Sequence, residues 1–552
     1  MRNAGRLLLP IGTTNYKKIC DNYYYVDKTL MIKDILDEGT EISLFTRPRR
    51  FGKTLNMDML RTFFEKQEED TSRYFTDKKI WQQGEAYTKH QGKYPVIYLS
   101  LKDANKFTWS DLYARLIETI RDEFFRHSEL NDSPKISNPE FYKKIIAGQA
   151  TEAEYSISIL RLSRMLREHY GQSVILIIDE YDTPIQAGYI NGFYNEAIQF
   201  IRDLFSSALK DNDNLAFGFL TGILRVAKES IFSGLNNIYV YSVLDDKFSD
   251  YFGFTDVEVK QLAHYYALDD KLVEIKEWYD GYRFGEVEIY NPWSVLSYLK
   301  NGCKAIPYWV QTSSNSTINT ILRNLDGETY QKLKDIINGT AISSIVSTNV
   351  IYPELKDKSA NIFGFLLMTG YLKSRRTNFT MRGNILCELC IPNKEIENVY
   401  YNEILAQLAD GVSINTTNVL SEALLHKDDV LLKQSLNKFL LETISFYDTL
   451  NENYYHGLLL GMTAIFAHDY YIYSNRESGL GRYDIMLVPK QAGLPGIVIE
   501  VKSTDKSSSA SLKALAQINT NKYDAELVKQ GVKLIYKYGI AFSGKQAEIM
   551  TN

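Results

Sequence analysis

Two groups of residues in this 552-residue chain have the types and spacing needed to handle phosphate. The first is Arg47-Pro-Arg-Arg-Phe-Gly-Lys-Thr54, followed downstream by Val174-Ile-Leu-Ile-Ile-Asp-Glu180. Gly52, Lys53 and Thr54 have the order of a phosphate-binding loop. Its backbone N–H groups and a helix N-terminus surround the phosphates, Lys53 reaches the β/γ-phosphates, and the Thr54 hydroxyl meets Mg²⁺. Asp179 ends an apolar run, where a carboxylate can bind the same cation, and Glu180 follows in place to orient or activate an attacking water. Thr221 and Arg225, at the end of Leu215-Ala-Phe-Gly-Phe-Leu-Thr221 and just beyond, are candidates to sense the γ-phosphate and to stabilise charge as it is lost. One departure stands out: the usual pattern opens with Gly, and this chain has Arg47, which tolerates less backbone freedom. Pro48 fixes φ beside it and stiffens the loop further.

The second group is Arg482-Tyr-Asp-Ile-Met-Leu-Val488 with Gly496-Ile-Val-Ile-Glu-Val-Lys502. With a strand period of two, Asp484 shares a face with Met486 and Val488, and Glu500 with Val498 and Lys502. If the two strands pair, Asp484 and Glu500 converge on a divalent cation, Mg²⁺ or Mn²⁺. Lys502 then stands beside it to help deprotonate water or meet developing phosphorane charge. Glu452, at the start of a helical segment, is a candidate third carboxylate for the metal, with Glu477 an alternative donor. Gln517 and Tyr523 could position a phosphate, and His456 could assist, although a lone helical His more often serves structure.

The elements around these residues fit that chemistry. Glu41 to Thr46 is a short apolar run ending at the loop, and a helical pattern opens near Thr54, so the loop has the strand-to-helix context it requires. Val174 to Ile178 is a continuous apolar run of strand length, as a central parallel strand buried on both faces would be. Pro95 to Leu101 adds another strand. Helical stretches at roughly 109–127, 154–170 and 194–210 alternate with these strands and predict a parallel sheet covered on both faces. A helix over about 508–529 is expected after Lys502.

Bulk composition sets the outer limits. The chain length calls for two or three domains. With 45% hydrophobic and 24% charged residues, 40 Tyr and 26 Phe, the composition is that of packed globular domains. No apolar stretch reaches membrane-spanning length, and the first ten residues carry too short an apolar run for a secretory signal. Four cysteines imply no disulfide framework and fit a reducing cytoplasm. Cys387-x-x-Cys390 lacks a second Cys or His pair and does not predict zinc. The net charge of −5 does not advertise a nucleic-acid surface, although residues 503–552 carry seven Lys against four acidic residues.

Taken together these residues resemble a bacterial and archaeal family that fuses an AAA-ATPase-like domain to a PD-(D/E)XK nuclease-like domain. The resemblance also runs through Tyr25-Val-Asp-Lys-Thr29, Asp179-Glu-Tyr-Asp-Thr-Pro-Ile185, Ser233-Gly-Leu-Asn-Asn237, Trp278-Tyr-Asp-Gly-Tyr-Arg-Phe-Gly285, Tyr290-Asn-Pro-Trp293 and Gly481-Arg-Tyr-Asp484. It implies that Lys53, Thr54, Asp179 and Glu180 serve a nucleotide and that Asp484, Glu500 and Lys502 form a nuclease core. It also implies that Arg47 in place of Gly is a family trait. The expected architecture is an α/β P-loop core over 1–225, a helical lid over 226–300, a mainly helical middle region over 301–425, and an α/β restriction-endonuclease-like domain over 426–552. The expected activity is ATP hydrolysis joined to Mg²⁺-dependent cleavage of nucleic acid, DNA more readily than RNA, with oligomeric state open. The alternative is a nucleotide-switched regulator whose nuclease-like domain binds nucleic acid or a partner without cutting.

Overall fold

A computed structural model describes residues 6–226, 237–309, 327–337, 339–350, 352–355, 359–400, 414–443, 452–463, 466, 469–474, 477–504 and 507–552. Two compact units are present: Met1–Ser314 with Ala341–Glu395, and Asn315–Thr340 with Ile396–Asn552.

The first unit is built on five parallel strands, β1 (Ile42–Thr46), β2 (Val96–Ser100), β3 (Val174–Asp179), β4 (Leu215–Gly222) and β5 (Ile238–Tyr241), in the order β2-β3-β4-β1-β5. Every residue of β1 and β3 is buried, which is why their sequences read as unbroken apolar runs rather than alternating ones. The expected crossover helices are present as Trp109–Arg126, Ser158–Tyr170 and Tyr194–Leu209. Thr108 opens the first by accepting from the Asp111 N–H, and Gly171 closes the second in the left-handed region at φ 67°. The stretch expected as one helix from 154 is split, because Glu152–Ser156 forms its own turn under a Thr151/Glu154 capping box.

Beyond β5 the chain forms helices Asp256–Tyr266 and Leu272–Tyr279, a hairpin of Tyr282–Phe284 with Val287–Ile289, and helix Pro292–Lys300. The region from 301 to 425, expected to be mainly helical, holds helices Gly327–Ile337, Ser359–Met368, Lys394–Val399 and Ile414–Leu425 and also an antiparallel sheet that the sequence did not announce. Its strands are β6 (Ile342–Val346), β7 (Lys373–Phe379) and β8 (Ile385–Cys390), in the order β7-β8-β6. The physical reason is legible afterwards: β7 is Lys-Ser-Arg-Arg-Thr-Asn-Phe, exposed along most of its length, so it carries no apolar alternation to announce a strand. Cys387 and Cys390 lie an odd number of residues apart on β8, hence on opposite faces, and both are buried free thiols.

The second unit centres on a five-stranded mixed sheet, β9 (Tyr470–Ser474), β10 (Ile485–Pro489), β11 (Gly496–Ser503), β12 (Ile535–Ser543) and β13 (Gln546–Thr551), in chain order across the sheet. Only β11 and β12 run parallel, so the crossover between them must be long. It is supplied by helices Ser507–Thr520 and Ala525–Lys529. A single helix over 508–529 was expected. The break occurs where Lys522 takes φ 52° and the Asn521 carbonyl accepts from the Leu480 N–H, a tertiary contact that local periodicity does not encode. One sheet face packs Ile485, Leu487, Ile497 and Ile499 against residues of helix Glu452–Thr463, and the other packs Met486 and Val498 against Ile518 and Tyr523. Among the described residues no helix is long and apolar enough to cross a membrane.

Candidate functional site

The loop between β1 and helix Lys53–Phe64 sits at the carboxyl end of the parallel sheet, the edge where open α/β sheets hold their ligands. Gly52, at φ 83°, is the residue that turns the chain into the helix. Arg47, which replaces the customary glycine, is fully buried and points into the fold rather than toward a ligand. Its guanidinium donates to the carbonyls of Thr46 (2.9 Å), Tyr241 (2.7 Å) and Phe248 (3.1 Å) and lies over the rings of Phe252 and Phe284. Burial pulls its pKa down to about 9, with the Asp245 charge opposing. The arginine thus ties the root of the loop to β5 and to the segment beyond it. Arg47→Gly leaves three buried carbonyls without a donor, at about 1–3 kcal/mol each, and is expected to lower the urea midpoint of the first unit markedly rather than restore a better loop.

Lys53 is buried, and its Nζ donates to the carbonyls of Arg47 (3.0 Å) and Pro48 (2.9 Å); desolvation holds its pKa below the usual lysine value. In this arrangement the lysine spans its own loop, and a phosphate in the loop offers the same ammonium a stronger, charged acceptor. Thr54 Oγ1 donates to Asp179 Oδ2 at 2.8 Å, and Thr221 Oγ1 donates to Asp179 Oδ1 at 2.5 Å. The three residues picked out in sequence at widely separated positions therefore form one cluster. Asp179 is fully buried, and desolvation raises its pKa against these two donors. A cation at this position would find one carboxylate and two hydroxyl oxygens, a donor set of hard oxygens suited to Mg²⁺. Glu180 takes the left-handed conformation at φ 55°, and its N–H donates to Thr221 Oγ1 at 3.2 Å. Strain of that kind in a non-glycine residue tends to collect at functional positions. Arg225 pairs with Asn349 in a short parallel ladder and is not bonded to this cluster.

Several supporting residues escaped the sequence reading. Asp182 is buried and accepts from the N–H groups of Ile223 (2.8 Å) and Leu224 (3.1 Å), while Tyr181 Oη donates to the Leu224 carbonyl at 2.6 Å, so the Asp-Glu-Tyr-Asp turn clamps the exit of β4. Trp309 Nε1 donates to the Arg49 carbonyl at 3.3 Å, and its backbone N–H to Glu395 Oε1 at 2.9 Å. Glu395 is fully buried, takes the Ser294 hydroxyl on both oxygens, and is pushed up to about 7 by desolvation. Arg50, at φ 70°, lies 4.3 Å above the Trp293 ring. The Tyr290-Asn-Pro-Trp293 motif had signalled that neighbourhood without a role. Ser233 to Asn236 lie outside the described residues.

In the second unit, the antiparallel register Met486↔Val498, Ile485↔Ile499 brings Asp484 and Glu500 to the next facing position. Asp484 Oδ2 accepts from the Val501 N–H at 2.7 Å, and Lys502 Nζ donates to Glu500 Oε1 at 3.1 Å. Glu500 is only 2% exposed, and its Oε2 is buried with no hydrogen-bond partner. Desolvation first and the Asp484 charge second push its pKa up to about 7, with Lys502 opposing. A buried carboxylate oxygen left unbonded beside a second carboxylate is what a cation site looks like without its charge. Among the described residues no three His, Cys, Asp or Glu side chains gather to hold an ion. Two carboxylates do suffice for Mg²⁺, which keeps much of its water.

The remaining candidates fall around this pair. His456 Nε2 meets the Asp484 carbonyl at 3.1 Å and Ser474 Oγ at 3.0 Å, which positions the strand rather than reaching the carboxylates. Gln517 and Asn521 amides donate to Tyr523 Oη at 3.1 and 2.9 Å, making a polar cluster on the face that also carries Met486 and Val498. Glu452 begins helix Glu452–Thr463, and the side chains of Glu452 and Glu477 lie outside the described ones.

Each of the two sites falls within a stretch that matches a family model. Residues 10–232 match the family model described as "Predicted AAA-ATPase", and residues 450–552 match the PD-(D/E)XK nuclease superfamily. The chain joins an AAA-ATPase-like domain to a PD-(D/E)XK nuclease superfamily domain. A protein of Azotobacter chroococcum mcd 1, described as an uncharacterized protein in the vnfD 5' region, is 26% identical over 490 residues, covering 87% of this chain and 81% of its own. The strand order β2-β3-β4-β1-β5 and the mixed C-terminal sheet give each AAA-ATPase-like and PD-(D/E)XK domain the framework its sequence match implies.

Proposed function

We propose that this protein binds and hydrolyses ATP at the P-loop of a core spanning 1–225, beneath a lid over 226–300, and cleaves nucleic-acid phosphodiesters at Asp484, Glu500 and Lys502 in a nuclease domain over 426–552. The observation that carries the reading is that both constellations are intact in one chain: Thr54 and Thr221 on Asp179, and Lys502 on Glu500 beside Asp484. DNA is the favoured substrate, in the cytoplasm.

At the first site Gly52 and Lys53 hold the phosphates, Thr54 and Asp179 hold Mg²⁺, and Glu180 orients the attacking water. Glu180→Gln keeps the shape and removes the base, so nucleotide affinity should stay within about 3-fold while turnover falls by about 100-fold. Radiolabelled ATP hydrolysis beside equilibrium binding separates the two; equal loss of both would remove Glu180 from the chemistry. Thr221 holds Asp179 in its orientation, while Arg225, held in its ladder with Asn349, is left out of the hydrolysis step.

At the second site Asp484 and Glu500, with Glu452 as a third carboxylate, hold Mg²⁺ or Mn²⁺, which supplies Lewis acidity and an activated water. Lys502 stabilises negative charge on the phosphate being cut. The pH dependence follows from Glu500. Its folded pKa lies near 7, above the ordinary glutamate value of 4.5, so ionisation in the fold is disfavoured. That cost to stability is absent below pH 4.5 and complete above about 7. Cleavage and cation affinity should therefore rise as pH goes from 6 to 8, with a proton released on metal binding. Glu500→Gln should raise the metal-free melting temperature at pH 8 while abolishing cleavage. Calorimetry at the two pH values tests this: a lower melting temperature for Glu500→Gln at pH 8 contradicts it.

The alternative is a nucleotide-switched regulator. In it the C-terminal domain binds nucleic acid without cutting, and the nucleotide acts as a switch. DNA binding that survives Asp484→Ala, by a parent protein that shows no cleavage, would favour it.

A further inference from the structure

A cavity of about 370 Å³ opens in the first unit where β1 and β5 end. Its size suits enclosure of a small organic ligand. Thr46, the last residue of β1, lines it, and the carbonyl of the next residue, Arg47, accepts from Lys53 Nζ. The cavity wall and the phosphate-binding lysine are thus a single peptide apart. Val240 and Ser242 form another wall, which puts the cavity on the β5 side of β1, away from β3 and Asp179. A ligand with its phosphates on the loop and its far end here would lie along the carboxyl edge of the sheet.

The lining selects what that far end can be. Asp245, Asp246 and Glu286 stand against the one cation Arg225, so the cavity disfavours phosphate. Asp245 Oδ2 is committed to the Ser242 N–H and hydroxyl, at 2.7 and 2.6 Å, and Asp246 Oδ1 to the Glu286 N–H at 2.9 Å, which leaves the second oxygen of each for a donor. Gly285 is required at this turn, because a Cβ there would lie 2.3 Å from Asp246 Oδ1. Arg225 Nε is buried with no hydrogen-bond partner. Leu244, Ile385 and the 75%-exposed ring of Phe379 supply apolar surface. A flat, uncharged group with amine donors, ring-nitrogen acceptors and a stacking face matches this lining.

We propose that the cavity receives the purine base and ribose of the nucleotide whose phosphates lie on the P-loop, an assignment that rests on the nucleotide reading above. The carboxylates accept from the exocyclic amine, Arg225 donates to ring acceptors, and Phe379 covers one face of the base. Its test is titration calorimetry of the full chain with Mg²⁺, using ATP, inosine triphosphate and inorganic tripolyphosphate as probes. Wild type should bind ATP about 10-fold or more tighter than tripolyphosphate, with inosine triphosphate, which lacks the amine, in between. Thr377, on β7, also lines the cavity; Thr377→Trp, which fills it, should bring ATP affinity down to that of tripolyphosphate and leave tripolyphosphate unchanged. Should that variant not fold, Phe379→Ala carries the same comparison, with a smaller selective loss of ATP. Unchanged ATP affinity in the variant, or equal loss of both ligands, overturns the assignment. Wild type that binds tripolyphosphate with no preference for ATP overturns it while the P-loop reading stands; wild type that binds neither overturns both.

Discussion

Asp484→Ala is expected to lower metal-dependent cleavage by about 1,000-fold or more and to leave the fold intact. The expectation follows from what the side chain does. Asp484 takes the Val501 N–H on one oxygen and sets its charge beside Glu500, whose own second oxygen is buried and unbonded. On the proposed reading, removing Asp484 would leave Glu500 as the remaining carboxylate of this pair, and a cation held there would lose a ligand and with it the polarisation of the phosphate. It also removes the charge that helps hold Glu500 near pH 7, so the Glu500 pKa should fall toward the ordinary value. Two readouts thus move together: activity is lost, and the titration near neutrality shifts to lower pH in the metal-free protein. Asp484→Ala forfeits the hydrogen bond from the Val501 N–H while β10 and β11 keep their ladder, so the melting temperature should drop by a few degrees. A variant that still cuts at wild-type rate would remove Asp484 from the site.

Lys53→Ala is expected to have the second large effect: nucleotide affinity should fall by about 100-fold or more, and hydrolysis should become undetectable. Lys53 Nζ is held by the Arg47 and Pro48 carbonyls, within its own loop. Its pKa is depressed by desolvation, so the buried ammonium gains strongly from a phosphate partner. Without it the loop loses the ammonium that lies against its own backbone carbonyls. The alanine variant also leaves the Arg47 and Pro48 carbonyls without this donor, so its stability without nucleotide should fall by about 1–3 kcal/mol per carbonyl. Fluorescent-nucleotide titration beside thermal melting tests both statements. Undiminished binding would mean that the loop does not serve phosphate.

How far the sequence reached depended on whether a residue's role was local. The β3 run with Asp179 at its end, and the alternation that puts Asp484 and Glu500 on facing strands, are periodic signals written within a few residues. Both survived contact with the structure. Arg47 could be seen only as a departure, because its partners Tyr241 and Phe248 are about 200 residues away. The same distance hid the bracing of Arg49 by Trp309 and Glu395, which no motif spacing could show. The sheet of β6, β7 and β8 was missed because β7 is exposed and polar. The C-terminal helix was drawn too long because its break depends on a contact between Leu480 and Asn521 rather than on a proline or glycine. Thr221 was chosen as a strand-end polar group; its bond to Asp179 adds a role that the strand end alone does not specify.

The most direct test of the account is cleavage of single- and double-stranded DNA and RNA with Mg²⁺, with and without ATP, by the wild type beside Asp484→Ala and Lys53→Ala. The account predicts cleavage by the wild type, strongest on DNA, that is lost in Asp484→Ala and loses its response to ATP in Lys53→Ala. No cleavage of any substrate by the wild type with Mg²⁺ or Mn²⁺, or cleavage that persists in Asp484→Ala, would contradict it.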